Sequence, residues 1–280
     1  MAITNFIPEL WSAQILQSFR ETAIAANLAN REYEGVATRG NTVHIAGVVD
    51  VAIRDYKAAG RTTSADDITD TGQELLIDQE KAFDFYVDDI DRAQAAGSLE
   101  AYTESAARGL AQDADLFLFA LAAAADENPL TGSVSSGDQA HDVVRDLRKK
   151  LNRAHVPQGS RALFVNAEFE AYLLGADSKL SSVDTSGTSA GLRDAAIGRL
   201  LGFTVYTTEN LPKTDTPMAV AVHLPAWAYV SQIEEIESLR SNDRFADRLR
   251  GLHVYGGKVV RPEGVAVYDP DAGSVGGTEG

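Results

Sequence analysis

Between Ser98 and Glu127 one apolar stripe, Leu99, Tyr102, Ala106, Leu110, Ala114, Phe117 and Leu121, recurs at helical spacing and stops at Asn128-Pro129. Ser98 suits the N-cap. At 1.5 Å per residue such a helix is ~40 Å long, more than the diameter of a small domain. The chain therefore needs a fold organised around a spine. The same segment holds the longest purely apolar run, Leu116 to Ala125, only 10 residues. A membrane-spanning helix needs ~20, so this is not the pattern of an integral membrane protein.

The segments around the spine differ in period. Pro8, Glu9, Leu10, Ile15, Phe19, Ile24 and Leu28 predict an amphipathic N-terminal helix closed by Gly35, with nothing adjacent in sequence to cover its apolar side. From Gly40 the period drops to two. Val43, Ile45 and Val49 alternate with Thr42, His44 and Val48, with Gly47 as a bulge. A polar stretch after Lys57 leads to Glu74–Asp88, read as one long strand with Phe83, Phe85 and Val87 on one face and Asp84, Tyr86 and Asp88 on the other. Together these predict a long two-stranded hairpin with a mobile tip, which needs a neighbour because isolated hairpins are marginal in water.

Beyond the Gly/Ser-rich link 131–137 the pattern is α/β. Asp138 is the expected cap of a helix with Val144, Leu147, Leu151 and Ala154 inward; Ala162–Val165 reads as a buried strand; Asn166 caps a helix with Phe169, Leu173 and Leu174, stopped by Gly175. Ser178–Gly191 reads as a flexible stretch, followed by a Gly202 turn and a strand over Phe203–Thr207. Short strands over Met218–Val222, Ala228–Ile233, Leu252–Tyr255, Val259-Val260 and Val265–Tyr268 are expected, with a helical piece around Phe245 and a low-complexity tail.

The chemistry-bearing patterns are weak. Gly187-Thr188-Ser189-Ala190-Gly191 has the nucleophile-elbow spelling but follows a polar loop instead of a buried strand. His44, His141, His155, His223 and His253 are scattered, with no helical His-x-x-x-His pair to seat a metal. The carboxylate pairs Asp66-Asp67, Asp88-Asp89 and Glu234-Glu235 are too common to define a cleft. There is no cysteine, Walker loop or dinucleotide fingerprint, so no catalytic, cofactor-binding or metal-binding residue is assigned and no cofactor is expected.

Charge narrows the partners. The formal net charge is −16, and residues 66–127 carry 16 acidic side chains against Lys81, Arg92 and Arg108. So acidic a chain is a poor wrapper of nucleic acid. Arg145, Arg148, Lys149, Lys150 and Arg153 form a basic run on one expected helix, read as a solvated face that pairs with acidic residues. The N-terminus lacks a signal-peptide pattern, and the expectation is a soluble, intracellular chain. An uncovered arm, a projecting hairpin and an extended spine point to assembly.

In order and spacing, these segments resemble the major capsid proteins of tailed bacteriophages, which share the Hong Kong 97-type capsid fold. The resemblance is carried by Ile7-Pro8-Glu9-Leu10-Trp11, by Gly40-Asn41-Thr42-Val43-His44-Ile45, by the spine Ser98–Glu127, by Gly198–Tyr206 closing at Leu211-Pro212, and by Tyr255–Val265. It implies an α+β fold with an N-terminal arm (1–35), an extended β-hairpin loop (36–80), a peripheral domain with the long spine helix (81–135 and 225–270), an axial α/β domain (136–224) and a flexible tail (271–280). It implies a structural, non-enzymatic homo-oligomer of hexamers and pentamers closing into an icosahedral virion shell around double-stranded DNA, without sequence-specific binding and without a membrane, assembled in the host cytoplasm. Scaffolding, portal and decoration proteins are the implied partners, and because the chain opens at the arm, scaffolding is expected to be either a separate protein or unnecessary. Some relatives crosslink a lysine to an asparagine. Lys57 and Lys81 lie near the loop, but no partner Glu and Asn match by motif. The alternatives are an encapsulin-type nanocompartment shell and a soluble α+β enzyme.

Overall fold

The computed structural model describes residues 24–34, 41–45, 53–58, 60–62, 72–88, 100–175, 198–241 and 245–272. The N-terminal arm helix before Ile24, Gly47 with Val48 and Val49, Ser98 with Leu99, Ser178–Gly191 and the tail beyond Ala272 lie outside these residues.

The spine is helix α2, Glu100–Ala125, preceded by a four-residue helix α1, Ala25–Leu28. Its buried face is centred on Ala114, Leu118, Phe119 and Ala122, while Phe117 and Leu121 are only half-buried. The expected stripe is thus rotated, because apolar side chains occur all round the last three turns and period alone cannot choose among them.

A five-stranded sheet has the order β10-β7-β4-β6-β5, with β4 Arg161–Val165, β5 Arg199–Leu200, β6 Phe203–Thr207, β7 Ala219–His223 and β10 Val265–Tyr268. Only β4 and β6 are parallel among these pairs. Both faces are covered. Helices α3 (Gly137–Arg153) and α4 (Ala167–Leu173) pack Val144, Leu147, Leu151 and Phe169 against Leu163, Val165, Ala219 and Ala221. On the other face Leu118, Phe119 and Ala122 of the spine meet Ala162, Phe164, Val220 and Val222. Two-sided burial explains why β4 and β7 read as unbroken apolar runs.

The cap of α3 is Ser136, whose hydroxyl accepts from the Gln139 N–H at 3.3 Å; Asp138 sits in the first turn, and Ala154 is exposed at the C-cap instead of inward. Asn166 caps α4 as expected, accepting from the Phe169 N–H at 3.1 Å. Leu201 (φ 48°) and Gly202 (φ 86°) form the two-residue turn joining β5 to β6, the backbone sign a primed hairpin turn requires.

The second sheet has the order β3-β9-β8, all antiparallel, with β3 Gln79–Asp88, β8 Trp227–Arg240 and β9 Ala246–Val259. Here the expectation was shorter strands. β8 and β9 run 14 residues each, and Gly256-Gly257 continues β9. Phe245 lies at the hairpin turn, not in a helix. Residues 225–270 divide between the sheets, since β10 crosses back to edge the five-stranded one.

The single strand expected over Glu74–Asp88 is also divided. β1, Thr42–Ile45, and β2, Gln73–Leu76, pair through four residues each. The Ile77 N–H then donates to the Asn41 carbonyl at 2.8 Å, and the chain transfers to β9 as β3. Glu74–Asp88 is therefore two strands serving two sheets. Where β2 crosses β9, a Cβ on Gly256 would stand 2.2 Å from the Leu76 carbonyl oxygen and 2.8 Å from the Ile77 Cα. Because both obstacles are backbone, Gly256→Ala is expected to cost about 1–3 kcal/mol and to lift the hairpin base. Chemical denaturation with amide exchange at Leu75 and Ile77 checks this.

Candidate assembly surfaces

Three features leave the double core. The first is the segment Ile24–Glu34. The carboxylate of Asp115, fully buried on the spine, accepts from the backbone N–H of Ile24 at 2.5 Å and of Ala26 at 2.9 Å. Burial pushes its pKa up, and the N–H donors together with Asn210 oppose that shift. Asp115 thus does for α1 what a local N-cap would do, since Ile24 has no capping side chain. The next residues lie along β8: the Asn30 N–H donates to the Trp227 carbonyl at 2.8 Å, and the Tyr229 N–H donates to the Asn30 carbonyl at 3.0 Å. Arg31 sits over the Tyr229 ring at 5.2 Å, and Glu34 accepts from the Ser231 N–H at 3.3 Å. This run of contacts holds residues 24–34 against the spine and β8.

The second feature is the β1–β2 hairpin. Val43, Ile45, Leu75 and Ile77 face Ala228, Val230 and Val254 in a small separate core. Gln73 Nε2 donates to the Val260 carbonyl at 3.2 Å, and Lys258 Nζ to the Glu74 carbonyl at 2.8 Å. In the described part of the loop beyond, Ile53 is 99% exposed and Tyr56 is also exposed.

The third is the outer half of the β3-β9-β8 sheet. Its open face carries the ion pairs Asp84 with Arg248 and Glu237 with Arg250 at 2.5 Å, while Arg240 with Asp247 at 3.1 Å lies on the opposite face. The Arg248 hydrogen bond holds the Asp84 carboxyl below the usual carboxylate range. Tyr86, Leu239 and Leu252 are exposed around the open-face pairs, and Phe245 at the hairpin turn is 81% exposed. Both edge strands, β3 and β8, present ladder groups to whatever lies beside them.

The sequence-level candidates do not converge. His44 is exposed, 3.5 Å from Glu74. His253 is buried, with Nε2 at 3.1 Å from the Tyr229 hydroxyl and 3.3 Å from Ser231 Oγ. His141 lies on α3, His155 is exposed at φ 57°, and His223 is half-buried with a pKa lowered first by burial and then by Arg161 and Arg261. Among the described residues no three His, Asp or Glu side chains are grouped to hold a metal. The Gly187–Gly191 pattern, Asp66-Asp67 and Asp89 lie outside the described residues, as do the side chains of Glu234 and Glu235. Lys57 is exposed, and Lys81 Nζ lies 3.6 Å from Asp113. Asp113 also accepts from the Tyr255 hydroxyl at 2.7 Å. The buried Asp115 escaped sequence reasoning altogether, although an acid three residues before Leu118 and four before Phe119 is its signature.

The phage capsid protein family model matches residues 72–268. A solved structure from Mycobacterium phage Che8 is 54% identical, with a TM-score of 0.84 over 96% of this chain and 99% of that one. The capsid structure of the Cyanophage P-SCSP1u shares the fold at 13% identity and a TM-score of 0.73, covering 90% of this chain and 89% of that one. A virus-like particle from Pyrococcus furiosus does so at 14% and 0.52, covering 88% and 94%. No curated protein matches. The chain belongs to the phage capsid protein family. It is a major capsid protein of the tailed-bacteriophage, Hong Kong 97-type kind, a structural protein of the virion capsid, whose shell is assembled from many copies. The nanocompartment alternative is not favoured, since the high sequence identity runs to the mycobacteriophage structure.

Two outcomes test the junction chemistry. Asp115→Ala strands buried N–H donors and is expected to cost about 2–3 kcal/mol, read by denaturation together with loss of amide protection at Ile24 and Ala26. Tyr255 has its pKa raised by burial first and by Asp113 second. In the unfolded chain the phenol ionises near pH ~10 while the folded one keeps its proton, so stability falls as pH rises past that point. Tyr255→Phe is expected to flatten that alkaline slope in urea titrations between about pH 8 and 11.

Proposed function

We propose that the chain assembles as hexamers and pentamers into a closed icosahedral shell that encloses double-stranded DNA, formed in the host cytoplasm. The arm 1–35 reaches a neighbouring copy, and the loop 36–80 lies across the adjacent subunit. Residues 81–135 and 225–270 act as the peripheral domain, with β10 lent to the axial domain 136–224, and 271–280 is a tail. The supporting observation is the hairpin, whose base is seated on Val230 and Val254 while Ile53 and Tyr56 beyond it are open. An isolated four-pair hairpin is marginal, and a neighbouring copy supplies the missing surface. The acidic spine segment faces the interior and repels phosphate, so that packaged DNA slides instead of sticking. Scaffolding, portal and decoration proteins complete the set of partners.

Electron microscopy with light scattering on the purified chain tests the assembly. Closed shells, or rings of five or six, are expected. A monomer or dimer that stays small with its scaffolding protein present would contradict the reading. In a shell reconstruction, acidic residues of 98–127 on the outer surface would overturn the sliding-wall account.

A further inference from the structure

The basic run of α3 is not uniformly neutralised. Lys150 Nζ binds Asp126 at 2.5 and 2.6 Å, Arg145 pairs with Asp142 at 2.7 Å and Asp146 at 3.5 Å, and Arg148 Nη1 donates to the Leu201 carbonyl at 2.5 Å. Lys149 and Arg153 are exposed and have no ion-pair or hydrogen-bond partner among the described residues. Arg145, Arg148, Lys149, Asn152 and Arg153 line a shallow concavity of about 390 Å³. Beneath it lies Arg161, 5% exposed, whose guanidinium donates only to neutral acceptors: the Pro157 carbonyl at 2.8 Å, the Val156 carbonyl at 2.5 Å and Asn152 Oδ1 at 2.9 Å. Asn152 Oδ1 accepts from Arg161, and the amide N–H groups of Asn152 add two further donors. Burial and then the charge of Arg148 weigh against the Arg161 cation. The lining is rich in donors, over a buried charge without a carboxylate partner.

We propose that this concavity is a carboxylate-binding surface whose occupant is an acidic side chain of a second copy of the chain. It rests on the many-copy shell. The chain carries the complementary charge: Glu80, Glu127, Asp215 and Glu263 are exposed without an ion-pair partner among the described residues. A shell fixes copies against one another, so a carboxylate arrives at an effective concentration of roughly millimolar or above without diffusing. Nucleic acid suits the surface less well. The nine residues from Arg145 to Arg153 span only ~13 Å of helix, room for few phosphate contacts, and affinity for DNA follows their number. Asp142 and Asp146, paired with Arg145, put negative charge beside the run and weaken its pull on a polyanion. The net charge of −16 gives no long-range attraction for DNA.

Zero-length carbodiimide coupling on formed shells, built from an equal mixture of isotopically light and heavy chain, tests this by mass spectrometry. The expected result is Lys149 joined to an Asp or Glu of the other isotopic copy. Lys149 left free, or coupled only within its own chain, overturns the proposal while the shell reading stands, because the shells have already formed. Lys149 protected from amine acetylation only in DNA-filled shells, and released by nuclease, assigns the surface to DNA and likewise overturns it. Lys149→Gln with Arg153→Gln is expected to raise the critical assembly concentration roughly tenfold, with the melting temperature of the unassembled chain unchanged. An unaltered critical concentration contradicts the proposal.

Discussion

Everything in the fold hangs on the seat of the C-terminal half of the spine helix. Phe119 meets Phe164 of the five-stranded sheet edge-on at 5.0 Å and Trp227 of the three-stranded sheet at 5.6 Å. Leu118 packs so close to β9 that a Cβ on Gly257 would stand 2.8 Å from it. One helix thus cements two sheets that share only short connections. Full burial of a side chain such as Phe119 or Leu118 contributes about 1.5–3 kcal/mol each, and the aromatic contacts add about 0.5–1.5 kcal/mol per pair. The Asp115 clamp sits on the same half of the helix, so the placement of Ile24–Ala26 is set by the same seat.

From that seat outward the structure becomes progressively less self-sufficient. The five-stranded sheet is covered on both faces. The three-stranded sheet is covered by the spine on part of one face and carries charge pairs on the other. The hairpin has a core of its own that borrows residues from β8 and β9. Exposed ion pairs of this sort contribute little to stability, about 0–1 kcal/mol each, and serve better to keep an edge-bearing sheet from pairing indiscriminately. This gradient suits a shell subunit, rigid at the centre and completed by neighbours at the rim.

The legible parts of the sequence were those governed by local rules. The spine, the Asn166 cap, β4, β6 and the turn at Gly202 follow from period, cap chemistry and backbone sign. The failures are non-local. The rotated face of α2 could not be read because Leu116–Ala125 is apolar on every side. Glu74–Asp88 holds no glycine or proline, so no breaker reveals that Ile77 hands the chain from one sheet to another. The full length of β8 and β9 was hidden by polar Glu234-Glu235 and by Gly256-Gly257, which pass for turns. Those glycines are there because Leu76 and Leu118 approach too closely for a side chain. Asp115 and Arg161 are buried charges whose partners lie far along the chain or at a chain reversal; spacing puts Asp115 on the face of Leu118 and Phe119 but names no partner.

The central claim is that the hairpin finds its missing surface on another copy. Amide hydrogen exchange, compared between the unassembled chain and the closed shell, measures this directly. The account predicts that β1, β2 and the loop residues around Ile53 gain strong protection on assembly while β4 and β7 hardly change. Equal exchange of the hairpin in both states would contradict it.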